Sequence, residues 1–394
     1  MLSGAGNRRA FTLTSAGVLT SIYTFPTNSE IYQWEVQAVN GQVYGSQINP
    51  DQNFSLNTSG SFTYYTPAFL NVVPILSVQL PDGNIYGTTL DVGGVQNRTF
   101  VRMNLSGAVT VMHTFTAQEG DPIPRPILAS DGNFYGMSGI GDSYESTSAL
   151  VYELSPNKQF KVLKTYADGR KNYAPATFPE ALVEVGKGNL FGTAALGGSN
   201  RGGAIFELST TGAYKVIHEF KDWKFGVPTV MTLATDGNLY GVALGQVQLG
   251  GLSSLFRVTP SGQFETLYSF TNAAIGLCAC YLTQGSDGKF YGISQNGGVG
   301  VGTAWVWDLG LPKPLPSLAG FIPSSSSSGA RVTLYGTNLL GATSVSFNGV
   351  PASSFSNITG NYVSATVPAG ATTGPVTVTT PNGTATSPKA FTIH

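Results

Sequence analysis

The sequence predicts an all-β chain: a six-bladed β-propeller, with seven blades as the alternative, followed by a small immunoglobulin-like β-sandwich. Three observations predict it. A six-residue phrase, DGNLYG at 236–241, recurs through the first three quarters of the chain. The composition suits short strands and tight turns. Beyond residue 310 a Pro-rich stretch opens a segment whose grammar differs from the repeat.

The phrase appears as NGQVYG (40–45), DGNIYG (82–87), DGNFYG (131–136), KGNLFG (187–192), DGNLYG and DGKFYG (287–292). Its closing glycines are spaced by 42, 49, 56, 49 and 51 residues, a period that signals a repeat architecture. Each period holds four alternating runs, as in Val230–Leu233, the aromatic-Gly run after the phrase, Ser254–Val258 and Phe264–Phe270. Four short strands joined by hairpins are the content of one propeller blade. The last period ends at Leu309 without a fourth run, while the chain opens on a third-and-fourth pair, Phe11–Phe25. The expectation is that this N-terminal pair completes the last blade and closes the ring.

Composition agrees. Charged residues make up 10% of the chain, against 50 Gly, 18 Tyr and 22 Phe. Helical surfaces favour Glu, Lys, Arg and Ala, whereas aromatic and β-branched residues fit a pleated sheet. These residues resemble the bacterial tandem repeat written D-G-N-L-Y-G-T-T…G-G…F-x-L-T-P-S-G…L-Y-S-F, the GloVer repeat of secreted acidobacterial and verrucomicrobial proteins. The resemblance spans residues 1 to about 310. It implies the propeller and leaves the chemistry open.

Gly310 to Pro316 reads as a stiff linker (311–316) between a propeller at 1–310 and a sandwich at 317–394. Alternating runs with Asn-Gly and Pro turns fill that last segment. The phrases GTNLLGATSVSFNG and VPAGATTGPVTVTTPNGTA resemble the IPT/TIG domain, which implies an accessory or spacer module.

The repeated phrase has two readings. Asp-x-Asn resembles the start of a calcium loop, but such a loop needs six or more oxygens and a closing acid. No acid follows at a suitable distance, and Lys187 takes the Asp place in one copy. The turn reading is favoured: a two-residue Asp-Gly hairpin, an aromatic packed between blades, and a Gly giving room near the axis. No metal and no cofactor are expected. Cys278 and Cys280, at i and i+2 on one face of a strand, read as incidental thiols.

If the phrases mark one face, the long connections share the other, where propeller function resides. Candidate ligand contacts there are Tyr32, Trp34, Arg125, Arg170, Tyr173, Trp223 and Lys224. Aromatic rings cover apolar sugar faces while charged groups bond hydroxyls. Glu35, Glu119, Asp121 and Asp222 are the candidate catalytic carboxylates, since glycoside hydrolysis needs a facing pair. His113 and His218 fall in fourth strands and read as packing residues. No sialidase Asp box, G-x-S-x-G, H-E-x-x-H or Walker loop is present.

A net charge of −1 without a basic run excludes a nucleic-acid footprint. No apolar run approaches the ~20 residues that span a bilayer. MLSGAGNRRAF carries no apolar signal segment and reads as the middle of a repeat, so a trimmed leader is expected. The reading is therefore a secreted or cell-surface monomer that binds or processes an oligosaccharide or polysaccharide. The alternatives are a glycoside hydrolase or polysaccharide lyase using paired loop carboxylates, and a structural or protein-interaction scaffold.

Overall fold

Alternating runs separated by Gly turns form antiparallel ladders, because each strand finds its hydrogen-bond partner next in sequence. The structure, a computed structural model, describes residues 2–4, 9–13, 18–26, 30–48, 52–57, 59–65, 72–91, 98–140, 148–166, 179–194, 202–221, 227–245, 253–271, 278–295 and 303–394. No helix occurs among them.

The repeat region forms seven sheets, with strands in chain order across each. Sheet 1 holds Leu2–Gly4, Arg9–Leu13 and Leu19–Thr24. Sheet 2 holds Glu30–Gln37, Val43–Ile48, Gln52–Leu56 and Phe62–Tyr65. Sheet 3 holds Val72–Gln79, Ile85–Asp91, Thr99–Met103 and Val109–Thr114. In sheet 4, Asp121–Pro122 and Ile127–Leu128 together pair with Phe134–Ile140, followed by Ser148–Leu154 and Phe160–Tyr166. Sheet 5 holds Pro179–Glu184, Asn189–Ala194, Ala204–Ser209 and Tyr214–Glu219. Sheet 6 holds Val227–Leu233, Leu239–Leu244, Ser254–Val258 and Phe264–Ser269. Sheet 7 stops at three strands, Cys278–Gln284, Phe290–Gln295 and Thr303–Trp307.

Sequence reasoning expected the N-terminal pair to complete the last sheet. Instead Arg9–Leu13 pairs with Leu2–Gly4, so the N-terminus builds a sheet of its own. Among the described residues no ladder joins it to Thr303–Trp307.

Six buried clusters each straddle two successive sheets. Phe25 meets Phe54, Tyr44 meets Leu76, and Phe100 meets Phe134. Met137 meets Phe206, Phe191 meets Met231, and Tyr240 meets Phe290. The region is thus a chain of nearest-neighbour cores, as in repeat proteins generally.

The interfaces come in two alternating kinds. Where sheets 1–2, 3–4 and 5–6 meet, a ring near the end of one sheet's last strand lies flat on a Phe opening the last strand of the next. Tyr23 lies on Phe62 at 4.1 Å, His113 on Phe160 at 3.9 Å and His218 on Phe264 at 3.8 Å. Where sheets 2–3, 4–5 and 6–7 meet, a side chain reaches back to a turn N–H of the preceding sheet. Val39 N donates to Gln79 Oε1 at 2.6 Å, Ser130 N to Glu184 Oε2 at 2.8 Å and Thr235 N to Gln284 Oε1 at 3.1 Å.

The repeated phrase is a joint, of a different type from the expected two-residue hairpin. Leu80 N donates to Asn84 O and Gly83 N to Leu80 O, both at 3.0 Å, and Gly83 has φ +84°. This is a three-residue loop closed by a glycine bulge. Asp82 Oδ1 accepts from Asn84 N at 2.9 Å, and Oδ2 accepts from Asn84 Nδ2 at 2.9 Å and the Tyr86 hydroxyl at 2.6 Å. Asp131 and Asp236 repeat the pattern. Burial, and then the Asp82 carboxylate, pushes the Tyr86 phenol up to about 12, so it stays a donor. Where Lys187 replaces the acid, the aromatic is Phe191, which has no hydroxyl to satisfy.

In five of the six copies the closing glycine makes room for a side chain and not for the axis, while a Cβ at Gly87 would run into the Ile75 carbonyl. A Cβ at Gly45, Gly136, Gly192, Gly241 or Gly292 would overlap the ring of its cross-strand partner, Phe54, Tyr152, Phe206, Phe256 or Trp305.

The C-terminal sandwich packs Ser317–Ile322, Arg331–Thr337, Tyr362–Thr366 and Ser354–Asn357 against Ser325–Ser326, Gly383–Ile393, Gly374–Thr380, Ser344–Phe347 and Val350–Pro351. Its core centres on Leu334, Phe347, Val363, Val376 and Phe391.

Candidate functional site

The hairpins joining first to second and third to fourth strands open on one face. On that face the joint carboxylates are spent on their own turns. The remaining connections open on the opposite face; one of them, the stretch 116–126 leading from sheet 3 into sheet 4, is described throughout and includes the two-residue strand Asp121–Pro122.

This connection is built tightly. Phe115 N donates to Arg98 O at 2.7 Å, tying its start to the third strand of sheet 3. Glu119 N and Gly120 N both donate to Thr116 O at 3.0 Å, while Thr116 N donates to Glu119 Oε2 at 2.8 Å. The Ser138 hydroxyl donates to Glu119 O, and Ile123 N donates to Met137 O at 2.8 Å. The middle of the loop, from Glu119 to Ile123, is therefore held by the second strand of sheet 4.

An ion pair and a histidine–carboxylate contact stand on it. Asp121 Oδ1 meets Arg98 Nε, with the Arg98 side chain 17% and that of Asp121 50% exposed. Glu119 Oε2 lies 3.2 Å from His113 Nε2, whose ring is fixed between Phe160 and the edge of Phe115. The Arg98 side chain is thus largely shielded from water while that of Asp121 is half-exposed, and a charge-assisted pair of this kind fixes both groups. Beyond them, in the run Pro122-Ile123-Pro124-Arg125-Pro126, Arg125 has φ +82°. A left-handed residue without glycine, ahead of a proline, is a strained backbone of the kind that clusters at ligand sites.

Of the residues singled out from the sequence, Glu119, Asp121 and Arg125 are thus brought together on one connection. Arg170, Tyr173, Asp222, Trp223 and Lys224 lie outside the described residues. Glu35, Tyr32 and Trp34, expected in a connecting loop, sit in the first strand of sheet 2, Glu30–Gln37. There the register slips between Tyr32 and Val36, so Gln33, Trp34 and Glu35 form a bulge. A bulge also breaks the alternation expected of Cys278 and Cys280, because Cys280 is the extra residue between Ala279 and Tyr281. Arg98 escaped sequence reasoning. Its one signal is a cation just before the third-strand run Thr99–Met103 in a chain poor in charge.

His218 lies flat on Phe264 as His113 does on Phe160, so both rings pack between successive sheets. Burial lowers the His218 pKa from 6.5, partly opposed by Glu219. Among the described residues no helix is long and apolar enough to cross a membrane.

The family model of the Gloeobacter/Verrucomicrobia repeat matches residues 73–306, and that of the IPT/TIG domain matches residues 316–393. No curated protein matches the chain. Among solved structures, a streptogramin B lyase is similar over 76% of this chain and 86% of its own, with a TM-score of 0.55 and 12% identity. A virginiamycin B lyase from Staphylococcus aureus covers 76% of this chain and 88% of its own, with a TM-score of 0.53 and 12% identity. At such identity the likeness is one of fold, a propeller-like arrangement of small antiparallel sheets.

Proposed function

The chain belongs to the Gloeobacter/Verrucomicrobia repeat family, and from that premise we propose that its propeller is a rigid stage for carbohydrate binding on the face that carries Thr116–Pro126. The observation that carries the reading is the strained Arg125 beside the Arg98–Asp121 pair, on the face away from the joints. Arg125 and the half-exposed Asp121 would offer a donor and an acceptor to hydroxyls, and the cation would suit a uronate. Trp34, Tyr32 and Trp223 would add stacking surfaces, and Arg170, Tyr173 and Lys224 further polar contacts. The sandwich serves as the accessory module of a secreted or surface-bound monomer.

Binding is favoured over hydrolysis because the two carboxylates of this connection are engaged, Asp121 by Arg98 and Glu119 by His113 and Thr116 N. A general acid or nucleophile needs a carboxyl free to meet the glycosidic bond. The seven sheets favour a seven-bladed ring over six, with sheets 1 and 7 side by side.

Affinity electrophoresis in gels containing neutral and uronate polysaccharides tests the reading. Arg125→Ala and Trp223→Ala are expected to abolish retardation, with circular dichroism unchanged. Retardation equal to the parent in both variants would refute the assignment of this face.

A further inference from the structure

The Pro-rich stretch, expected to be a stiff linker, is pinned at both ends. The Thr235 hydroxyl donates to Pro312 O at 2.7 Å, fixing the stretch to the joint of sheet 6. From the sandwich side, Asn338 Nδ2 donates to Leu315 O and Asn382 Nδ2 to Pro314 O, both at 3.1 Å.

The sandwich also touches the repeat region directly, at two separate places on the joint face. The Tyr362 hydroxyl donates to Gln79 O at 3.2 Å, where the first strand of sheet 3 ends. Tyr362 is 6% exposed, and burial followed by the Asp82 charge pushes its phenol up to about 12, so it remains a donor. Gln79 is itself the clip between sheets 2 and 3. The second contact is Asn382 Nδ2 donating to Ser286 O at 2.7 Å, in the joint of sheet 7.

Sheets 1 and 7 each have three strands, and among the described residues they share neither a ladder nor a buried cluster. In ring order the short way from sheet 7 to sheet 3 runs through sheets 1 and 2. We propose that the sandwich is the clasp of the ring, gripping sheet 3 through Tyr362 and sheet 7 through Asn382 and so bridging the seam between the chain's first and last sheets. The inference rests on the reading of the seven sheets as a closed ring. Its physical basis is that arrays with only nearest-neighbour cores open from their ends, and a contact spanning the ends raises the cost of that opening.

Hydrogen exchange followed by mass spectrometry on the full chain tests the clasp. In Tyr362→Ala/Asn382→Ala, exchange within 9–24 and 278–307 is expected to rise roughly tenfold or more, with sheets 4 and 5 and the sandwich strands 331–337 and 374–380 unchanged. Should that variant keep the sandwich docked, a protease site placed in 311–316 and cut after folding supplies the released state. Unchanged protection of sheets 1 and 7 after release overturns the clasp while leaving the ring intact. Rapid exchange of those sheets already in the parent chain overturns the ring reading itself.

Discussion

The pairing of Asp236 with Tyr240 invites a double-mutant cycle. The chain performs one half of the experiment itself, since the copy with Lys187 in the acid position has Phe191 in the aromatic one. Tyr240 is 2% exposed, and its hydroxyl donates to Asp236 Oδ2 at 2.8 Å. The same carboxylate accepts from Asn238 N at 3.0 Å and from Asn238 Nδ2 at 2.8 Å. A hydrogen bond to a charged group contributes about 1.5–3 kcal/mol, and an orphaned hydroxyl costs about 1–3 kcal/mol. Asp236→Lys is therefore expected to cost about 2–3 kcal/mol, and Tyr240→Phe about 1–1.5 kcal/mol. The double variant should cost less than the sum by about 1 kcal/mol, because no hydroxyl is left without a partner. All four tryptophans, at 34, 223, 305 and 307, lie in the repeat region, so urea unfolding followed by their fluorescence reports on the sheets and not on the sandwich. Acid supplies a control. Partial burial raises the Asp236 pKa, but hydrogen bonds from Asn238 and Tyr240 outweigh it and hold the carboxyl below 3.8. Its contribution is present above pH 3.8 and lost as the pH falls below it, so the coupling should fade there. Strictly additive single variants at neutral pH would refute the claim that the acid is kept for the hydroxyl.

Two further perturbations bear on packing. Gly241→Ala puts a methyl into the Phe256 ring and the Val230 carbonyl, and should cost about 1–3 kcal/mol in urea denaturation. Gly360, with open space around it, gives the neutral control. His218, held neutral by burial, should contribute full stability above pH 6.5 and lose it as the pH falls, because the unfolded chain takes up the proton first. His218→Tyr, the residue that Tyr23 provides at the matching stack, should flatten thermal midpoints between pH 7.5 and 5; an unaltered slope would show that another group titrates.

Much of the fold was legible because its signals are local. Asp-Gly turns, period-two alternation and the aromatic-Gly dipeptide fix strands and joints without long-range information. The purpose of the closing glycine was not legible. It depends on which residue the ladder sets opposite, and a pair such as Gly241 and Phe256 lies fifteen residues apart in the chain. The candidate site was half legible: Glu119, Asp121 and Arg125 stand out in sequence, but Arg98 joins them only across sheets.

By itself the sequence determined the repeat, its turns and the sandwich, since hairpin chemistry and alternation act between near neighbours. Only the tertiary structure decided what the two ends do. Leu2–Gly4 captures the N-terminal pair, and Tyr362 meets Gln79 across 283 residues. Such contacts depend on the summed twist and register of every sheet between them, which no local pattern encodes.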